Sequence, residues 1–249
     1  MIESPWYVEA FRSDYRDVYA HRNLVAAREE VRWLVEDALR GVDGPVLDDC
    51  CGFGRHALAL AEHGHDVFGI DLSRDLLAGS RDLEGGVERL GGRLAQADMR
   101  ALPFPDATFA AVVNLFTSFG YLGDEGDDAA LAEMARVLAP GGVLVMDLMN
   151  PEAIRRGLRP RSREERGGIV LEAARALEDG GRRVVKDVRL TLADGEVRTW
   201  REEVRMFDPE EIDARLAALG LEVRRRAGNF AGEPFDAGSS ARQIVVATR

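Results

Sequence analysis

Cysteine is almost absent from this sequence of 249 residues: there are two, and they are adjacent, at Cys50 and Cys51. A disulfide framework is excluded because no other thiol could pair with them, which fits a reducing compartment. Long apolar runs are absent too, since no stretch approaches the roughly 18 residues that a membrane-spanning helix needs. Residues 1–12 carry charges where a signal peptide has an apolar core. These absences predict a cytoplasmic protein that makes no membrane contact.

Lysine is equally scarce, because Lys186 is the only one among 33 basic residues. The formal net charge is −11, so no overall basic field would attract nucleic acid, and we expect no nucleic-acid partner. Apolar residues make up 46% of the chain and charged residues 31%, which is typical of a globular protein. The length suffices for one large domain with a sizeable insertion. Nothing in the pattern specifies an oligomeric state.

The most informative stretch is residues 45–55, which read Pro-Val-Leu-Asp-Asp-Cys-Cys-Gly-Phe-Gly-Arg. A short apolar run ends in two carboxylates, passes through a glycine turn and enters an Ala/Leu-rich segment. This order predicts a strand, a tight turn and a helix N-terminus. Gly52 and Gly54 can adopt backbone angles closed to other residues and let a ligand approach the main chain. The turn therefore predicts a site for a nucleotide-like ligand.

Strands and helices alternate from this turn onward, with further apolar strands predicted at 66–70, 93–97, 108–114 and 143–148. The alternation predicts an α/β fold with a doubly wound, Rossmann-like, mostly parallel sheet of seven strands. An Arg-rich stretch at 155–166 is predicted as a linker or short helix. Residues 167–207 then show strand patterns that predict a small antiparallel β insertion.

Four segments follow from this pattern. We predict an N-terminal helical lid at residues 1–40 with an unusually aromatic stripe, and a ligand-binding core at 41–150. An inserted antiparallel cap follows at 151–207, and a C-terminal helix with two strands at 208–249 completes the core sheet.

Carboxylates follow the predicted strands, at Asp48 and Asp49, at Asp71 and at Asp98. Because the carboxyl ends of parallel strands meet at one edge, most of these side chains should converge, although we expect Asp49 to face solvent or cap the helix. Residues 52–57 match the pattern G-x-G-x-x-G/A, and Asp71 lies near the position, roughly 20 residues on, of a ribose-binding acid. Two carboxylates just before the turn would repel a pyrophosphate, so they favour a cationic nucleoside ligand.

The order of these motifs resembles the class I S-adenosylmethionine-dependent methyltransferases. Residues 46–54 resemble their first motif, residues 67–73 the second, residues 96–99 the third, and Leu-Ala-Pro-Gly-Gly-Val-Leu at 138–144 the turn before the fifth strand. The resemblance departs at Cys50, where the family usually has glycine, so this turn should either avoid a positive φ there or carry strain. It implies methyl transfer from S-adenosylmethionine to an N, O or C nucleophile of a small molecule.

The resemblance also implies roles for individual residues. Asp48 would lie near the methionine amino group, Asp71 would accept hydrogen bonds from the ribose hydroxyls, and Asp98 would accept one from the adenine amino group. The full set implied for the cofactor, with the two lid residues first, is Tyr15, Arg22, Asp48, Gly52, Gly54, Asp71, Leu72, Asp98, Met99, Asn114 and Leu115.

The aromatic start of the chain resembles the lid of a bacterial subgroup whose inserted β cap covers the acceptor. The acceptor pocket would be walled by Tyr19, Phe119, Tyr121 and Phe230. A hydroxyl acceptor would need a general base, for which the candidates are Tyr19, His21, Tyr121 and His56, whereas an amine would need none. No metal site is predicted, since adjacent cysteines and one histidine lack a four-ligand spacing.

Three alternatives stay open at this point. A NAD(P)-dependent oxidoreductase of the same topology would explain the glycine pattern. An RNA methyltransferase would keep the cofactor and change the partner. A protein that holds the cofactor without turnover would have the same fold, because fold does not establish activity.

Overall fold

The structure is a computed structural model and describes residues 5–11, 19 and 22–249. The helices in this part of the chain are α1 (Trp6–Ala10), α2 (Leu24–Trp33), α3 (Arg55–Glu62), α4 (Arg74–Ala78), α5 (Gly86–Leu90), α6 (Gly123–Val137), α7 (Pro151–Gly157) and α8 (Pro209–Ala218). A π-helical turn (Leu34–Ala38) extends α2, and two 3-10 turns lie at Gly79–Asp82 and Asp179–Gly181.

The strands are β1 (Val46–Asp49), β2 (Val67–Asp71), β3 (Leu94–Gln96), β4 (Phe109–Asn114), β5 (Leu138–Met149), β6 (Arg161–Arg166), β7 (Ile169–Glu178), β8 (Arg183–Thr191), β9 (Val197–Arg205), β10 (Glu222–Ala227) and β11 (Arg242–Thr248). None of the described helices is both long enough and apolar enough to cross a membrane.

Seven strands form the central sheet in the order β10-β11-β5-β4-β1-β2-β3. Neighbours among β1 to β5 are parallel, while β11 runs antiparallel to both β5 and β10. The predicted doubly wound, mostly parallel, Rossmann-like sheet of seven strands is confirmed. Chain order reverses between β1 and β4, and sheets of this kind bind ligands in the crevice at such a switch point.

The central strand β1 is buried along its whole length, because helices cover both faces of the sheet. Its side chains alternate between two core layers. Val46 packs in the layer built with α2 and α3, and Leu47 packs in the layer built with α6 and α8. The end of β1 is therefore fixed from both sides, which positions the glycine turn that follows it.

The second sheet has four antiparallel strands in the order β6-β7-β8-β9. The predicted antiparallel insertion is confirmed, but the prediction of a linker or short helix at 155–166 was wrong for its second half, because Arg161–Arg166 is the edge strand β6. Five of its six residues are exposed. A charged edge strand of this kind protects the sheet from further pairing and carries no alternation of apolar residues, so its sequence resembles a linker.

Helix starts follow the capping signals in the sequence. The hydroxyl of Ser73 accepts a hydrogen bond from the backbone N–H of Leu76 at 3.2 Å, and Asn150 accepts one from Glu152 at the start of α7. The helix after Ser73 is short, since α4 ends at Ala78 and continues as a 3-10 turn. This fixed start matters for the site, because Ser73 lies two residues after the end of β2.

Candidate functional site

The glycine turn after β1 is tied to the neighbouring strand β2. The backbone N–H of Cys51 donates to the carbonyl of Ile70 at 2.8 Å, and the N–H of Gly52 donates to Oδ2 of Asp71 at 2.8 Å. Gly52 and Gly54 have φ values of +59° and +79°, in the left-handed region that glycine adopts without steric penalty. The turn and the acid of the second motif thus form one hydrogen-bonded unit.

Cys50 adopts a φ of +66°. Of the two outcomes expected for this turn, avoidance of a positive φ or strain, the structure therefore shows strain. The left-handed conformation costs a non-glycine residue about 1–2 kcal/mol. Its Sγ lies 3.7 Å from Sδ of Met99 and 3.9 Å from Oδ1 of Asp49. These contacts show that the side chain of Cys50 packs against other residues of the site.

Three carboxyl groups meet at this end of the sheet, on Asp48, Asp49 and Asp71. Burial raises the pKa of Asp48 to about 7, against the attraction of Arg55, and raises the pKa of Asp71 despite two backbone N–H donors. The pKa of Asp49 is raised by burial first and then by repulsion from the other two carboxylates. The expectation of a solvent-facing Asp49 was wrong, because β1 is covered on both faces. A cation would be stabilised beside this cluster and a pyrophosphate opposed.

Some acceptor atoms in this region lack a partner within the described part of the chain. They are Oδ2 of Asp48, Oδ2 of Asp49 and Oδ1 of Asn114. The amide of Asn114 donates to the carbonyl of Asp49 at 3.2 Å, which leaves its own oxygen unpaired. Buried acceptors without donors are costly, so the polar groups behind the glycine turn are incompletely satisfied.

A cavity of about 650 Å³ opens at the carboxyl ends of the strands. The sequence-predicted residues that line it are Tyr19, Arg22, Gly52, His56, Asp71, Leu72, Asp98, Met99, Leu115 and Tyr121. The predicted residues that do not line it are Asp48, Gly54, Asn114, Phe119 and Phe230. Tyr15 and His21 lie outside the described residues.

Phe119 is a core residue, so its prediction as an acceptor wall was wrong. Its side chain is 1% exposed, and its ring packs against Phe207 at 5.1 Å between centroids. Phe230 is half-buried behind the cavity and stacks on Phe116, which does line it. An aromatic residue close in sequence to a site can pack in the core or line the cavity wall. The sequence does not distinguish these two positions.

One end of the cavity has the character of a nucleoside site. Leu72 is 38% exposed, which is unusual for leucine and leaves apolar surface facing the cavity. The carboxylate of Asp71 is fixed by the N–H groups of Gly52 and Ser73, each at 2.8 Å. The guanidinium of Arg100 hydrogen bonds to the Asp98 carboxylate and holds its pKa below the usual range.

The other end is organised around Phe116, which sequence reasoning missed. The guanidinium carbons of Arg22, Arg55 and Arg242 lie 5.1, 4.2 and 5.1 Å from the centre of its ring. Phe116 has a φ of +61°, and its N–H donates to a carboxylate oxygen of Asp147 at 2.8 Å. A bulky residue in the left-handed region is a strained feature of the kind found at functional sites. No sequence pattern signals it.

His56 lines the same end and is held by Glu30. Its Nε2 lies 2.7 Å from Oε2 of Glu30, which also accepts from Arg55 at 2.8 Å. Burial lowers the pKa of His56 to about 4, and the charge of Arg55 adds to that effect. The imidazole is therefore neutral and weakly basic at neutral pH.

An aromatic group covers the cavity from the side of α1. The rings of Trp6 and Phe11 contact Tyr121, at 5.0 and 6.1 Å between centroids. The hydroxyl of Ser73 donates to the carbonyl of Phe11 at 2.6 Å, which fastens the end of α1 beside the nucleoside end.

The four-stranded sheet closes the remaining side. Lys186 of β8 and Glu202 of β9 are direct cross-strand partners and both line the cavity. The ammonium of Lys186 lies 2.7 Å from the hydroxyl of Tyr19 and 3.1 Å from a carboxylate oxygen of Glu202. Sequence reasoning missed both residues, although the uniqueness of Lys186 was a signal that could have marked it.

Comparison with known proteins agrees with this geometry. The family model described as "Methyltransferase domain" matches residues 46–142. Demethylmenaquinone methyltransferase of Thermus thermophilus is 33% identical over 208 residues, which are 81% of this chain and 86% of that protein. The dTDP-3-amino-3,4,6-trideoxy-alpha-D-glucopyranose N,N-dimethyltransferase of Streptomyces venezuelae is 31% identical over 244 residues, which are 93% of this chain and all of that protein. The chain belongs to the class I S-adenosylmethionine-dependent methyltransferases.

A solved structure extends the likeness of this methyltransferase to its insertion and its cofactor. An amino pentose methyltransferase from Micromonospora echinaspora with S-adenosylmethionine bound is 26% identical, with a TM-score of 0.62 over 94% of this chain and 96% of its own. The residues present fit that cofactor, because the carboxyl cluster favours a cation over a pyrophosphate and Asp71 with Leu72 suits a nucleoside. The alternative of a nicotinamide-dependent oxidoreductase is replaced by this assignment.

Proposed function

We propose that this methyltransferase methylates an amine nitrogen of a small molecule that binds beneath the four-stranded sheet. The observation that carries the proposal is one cavity that is lined at one end by Asp71 and Met99 and at the other by Lys186 and Glu202. Its volume of about 650 Å³ lies within the usual range for small-molecule sites. Donor and acceptor can therefore meet in one enclosed space, where positioning and exclusion of water supply much of the rate.

For the cofactor we assign the ribose to Asp71 and the adenine to Leu72, Asp98 and Met99. Each carboxylate oxygen of Asp71 already accepts one backbone N–H and keeps a lone pair for a hydroxyl. The exposed side chain of Leu72 offers an apolar surface to a ring. Asp98 would share its oxygens between Arg100 and the adenine amino group.

For the methionine part we assign the field of Asp48, the oxygen of Asn114 and the wall formed by Leu115. Asp48 and Asn114 lie behind the cavity lining at the ends of β1 and β4, so they would act on an ammonium group through their charge and dipole and not by direct contact. When bound, S-adenosylmethionine supplies a methyl group on a sulfonium, which is already a good leaving group. The task left to the protein is to hold the acceptor in line with that methyl group.

The preference for an amine follows from the weakness of the candidate bases that the structure describes. His56 is held by Glu30 with its pKa lowered to about 4, and burial raises the pKa of Tyr19 above its ordinary value, so its phenol stays protonated. Tyr121 lies among aromatic rings. A hydroxyl acceptor would need one of these groups to remove its proton, whereas a neutral amine has a free lone pair. The names of two similar proteins, an amino-sugar N,N-dimethyltransferase and an amino pentose methyltransferase, support the same class.

The test uses pairs of small molecules that differ only in an amine against a hydroxyl at one carbon. Amino sugars, amino alcohols and their oxygen counterparts are incubated with the enzyme and S-adenosylmethionine, and the mass of each product is measured. We expect a methylated product from amine members only, with kcat/KM rising with pH according to the pKa of the amine itself. Faster methylation of hydroxyl members would overturn the proposal.

A further inference from the structure

Asp147 is a buried carboxylate in the middle of the central sheet, on β5 between β4 and β11. Its side chain is 0% exposed, whereas its neighbours on the strand, Met146 and Leu148, are apolar core residues. A buried carboxylate is costly unless it is paired and hydrogen-bonded. The partners of Asp147 therefore indicate what the residue does.

The carboxylate of Asp147 accepts hydrogen bonds from two residues at the cavity. Oδ2 accepts from the backbone N–H of Phe116 at 2.8 Å and from Nη2 of Arg242 at 2.7 Å, and Oδ1 accepts from Nε of Arg242. The backbone carbonyl of Asp147 accepts from the N–H of Thr117 at 3.0 Å. Phe116, Thr117 and Arg242 line the cavity, whereas Asp147 lies behind them. Asp147 thus connects three residues of the cavity wall without lining the cavity itself.

The segment held in this way is strained. Phe116 and Thr117 have φ values of +61° and +59°, so two consecutive residues other than glycine adopt the left-handed conformation. This conformation is unfavourable for a bulky residue and for a β-branched one, and it persists only where surrounding contacts fix it. The N–H groups of both residues donate to Asp147, one to the carboxylate and one to the carbonyl. Without the carboxylate, Phe116 would lose a contact that fixes its conformation.

Arg242 contacts the same segment. Its Nη2 donates to the hydroxyl of Thr117 at 3.0 Å as well as to Asp147, and its guanidinium carbon lies 5.1 Å from the centre of the Phe116 ring. A bidentate pair with a carboxylate balances the charge of a guanidinium and fixes its orientation. Asp147, Arg242 and residues 116–117 therefore form one hydrogen-bonded unit.

This unit adjoins the region of the cavity that we assign to the methionine part of the cofactor. Leu115, which belongs to that assignment, directly precedes Phe116 and lines the cavity. Across the sheet, β2 with Asp71 is followed by β1, β4 and β5. Neighbouring strands lie about 4.8 Å apart, so Asp147 lies on the side of β4 that is away from the nucleoside residues. A change at Asp147 should therefore affect the amino-acid end of the cofactor and leave the nucleoside end unchanged.

We propose that Asp147 is a positioning residue for the amino-acid part of S-adenosylmethionine. It does not contact the cofactor. It holds Phe116 and Thr117 in the left-handed conformation and orients Arg242 against them, which fixes the cavity wall beside Leu115. The inference rests on the proposed function, because it uses the assignment of Leu115 to the methionine part. It adds a residue outside the cavity that determines where the methyl donor lies.

A purely structural role for Asp147 predicts different results. Loss of a buried ion pair would then lower the melting temperature and change the affinity for all parts of the cofactor alike, or for none. S-adenosylhomocysteine has both the nucleoside and the amino-acid part, whereas 5′-methylthioadenosine has the nucleoside and the sulfur only. The ratio of the two affinities is therefore the readout that separates positioning from stability.

The test measures the binding of S-adenosylhomocysteine and of 5′-methylthioadenosine by calorimetry. The variant is Asp147→Asn, which keeps the size of the side chain but leaves one oxygen for three N–H donors. We expect S-adenosylhomocysteine to bind at least about tenfold more weakly, since a charge-assisted contact is lost, and 5′-methylthioadenosine to bind within about twofold of the wild type. The matched control is Gln243→Met on β11, which removes a buried hydrogen bond to the carbonyl of Phe207 in the core layer built with α6 and α8. Both ligands should bind this control as they bind the wild type.

A second variant, Arg242→Lys, tests the same unit at a partly exposed position. Lysine keeps the charge but lacks the planar fork that pairs with both carboxylate oxygens. Residues that act as one unit are not additive, so the double variant should lose no more S-adenosylhomocysteine affinity than the weaker-binding single variant. Additive losses would overturn the proposed unit. If Asp147→Asn does not fold, the affinity ratio of Arg242→Lys decides in its place.

The proposal is overturned if Asp147→Asn binds S-adenosylhomocysteine as tightly as the wild type does, or if both ligands lose affinity by the same factor. These measurements contain no methyl acceptor, so their failure is distinct from failure of the proposed function. Methylation of amines by an enzyme whose Asp147→Asn variant binds both ligands normally would overturn only the role of Asp147. A selective loss of S-adenosylhomocysteine binding in an enzyme that methylates hydroxyl groups would overturn only the amine acceptor.

Discussion

Replacement of Asp48 by asparagine should make the protein more stable, and more so at higher pH. The carboxyl is 1% exposed, and burial raises its pKa to about 7, against an ordinary value of about 3.9. Between these two values the folded state binds more protons than the unfolded state, so the free energy of unfolding falls as pH rises and becomes level above about pH 7. Asparagine keeps an oxygen for the N–H of Ala57, which hydrogen bonds to Asp48, but it does not titrate.

The size of the effect follows from the shift. The interval from about pH 5.5 to the pKa near 7 is about one and a half pH units. The free energy of unfolding changes by about 1.4 kcal/mol for each unit, which gives about 2 kcal/mol in total. The stability of Asp48→Asn relative to the wild type should rise by that amount between about pH 5.5 and about pH 8.5, as measured by urea unfolding. Asp66→Asn, at an exposed position, controls for the loss of one charge. A difference that stays constant over this range would refute the claim that burial raises the pKa of Asp48.

Three further predictions address other parts of the site. Asp71→Ala should weaken S-adenosylmethionine binding by at least about tenfold in calorimetry, since it removes charge-assisted hydrogen bonds, whereas Asp66→Ala should not; equal affinities would contradict the ribose role. Cys50→Val should lower the free energy of unfolding by about 2 kcal/mol, because valine tolerates the left-handed φ least. Cys50→Gly should change the free energy of unfolding by less than about 1 kcal/mol. Equal stabilities of the two variants would contradict a strained turn. Phe116→Leu should lower the melting temperature and raise the acceptor KM, since three guanidinium groups lose their aromatic contact; unchanged values would remove Phe116 from the site.

The cofactor end was largely predictable from the sequence. Asp71 and Met99 line the cavity because Asp71 ends β2 and Met99 follows the end of β3, and strand ends in such a sheet meet at one edge. The left-handed φ of Cys50 was predicted as one of two outcomes from the absence of the usual glycine. Short motifs carry this information because the backbone itself forms the site.

The acceptor end was predictable only in part. The pairing of Lys186 with Glu202 depends on the register of β8 against β9, and a shift of one residue would turn either side chain to the other face. Phe119 was assigned to the wall and is in the core, because nothing in the sequence says which way an aromatic residue turns after a strand. The charged strand β6 (Arg161–Arg166) lacks the alternation of apolar residues that would predict a strand.

The central claim is that one cavity brings a methyl donor to an amine. The most direct measurement incubates the enzyme with S-adenosylmethionine carrying an isotopically labelled methyl group and a metabolite extract, isolates the labelled product and locates the label by NMR. The proposed function predicts a labelled methyl group on nitrogen. A label on oxygen or carbon would contradict the amine acceptor.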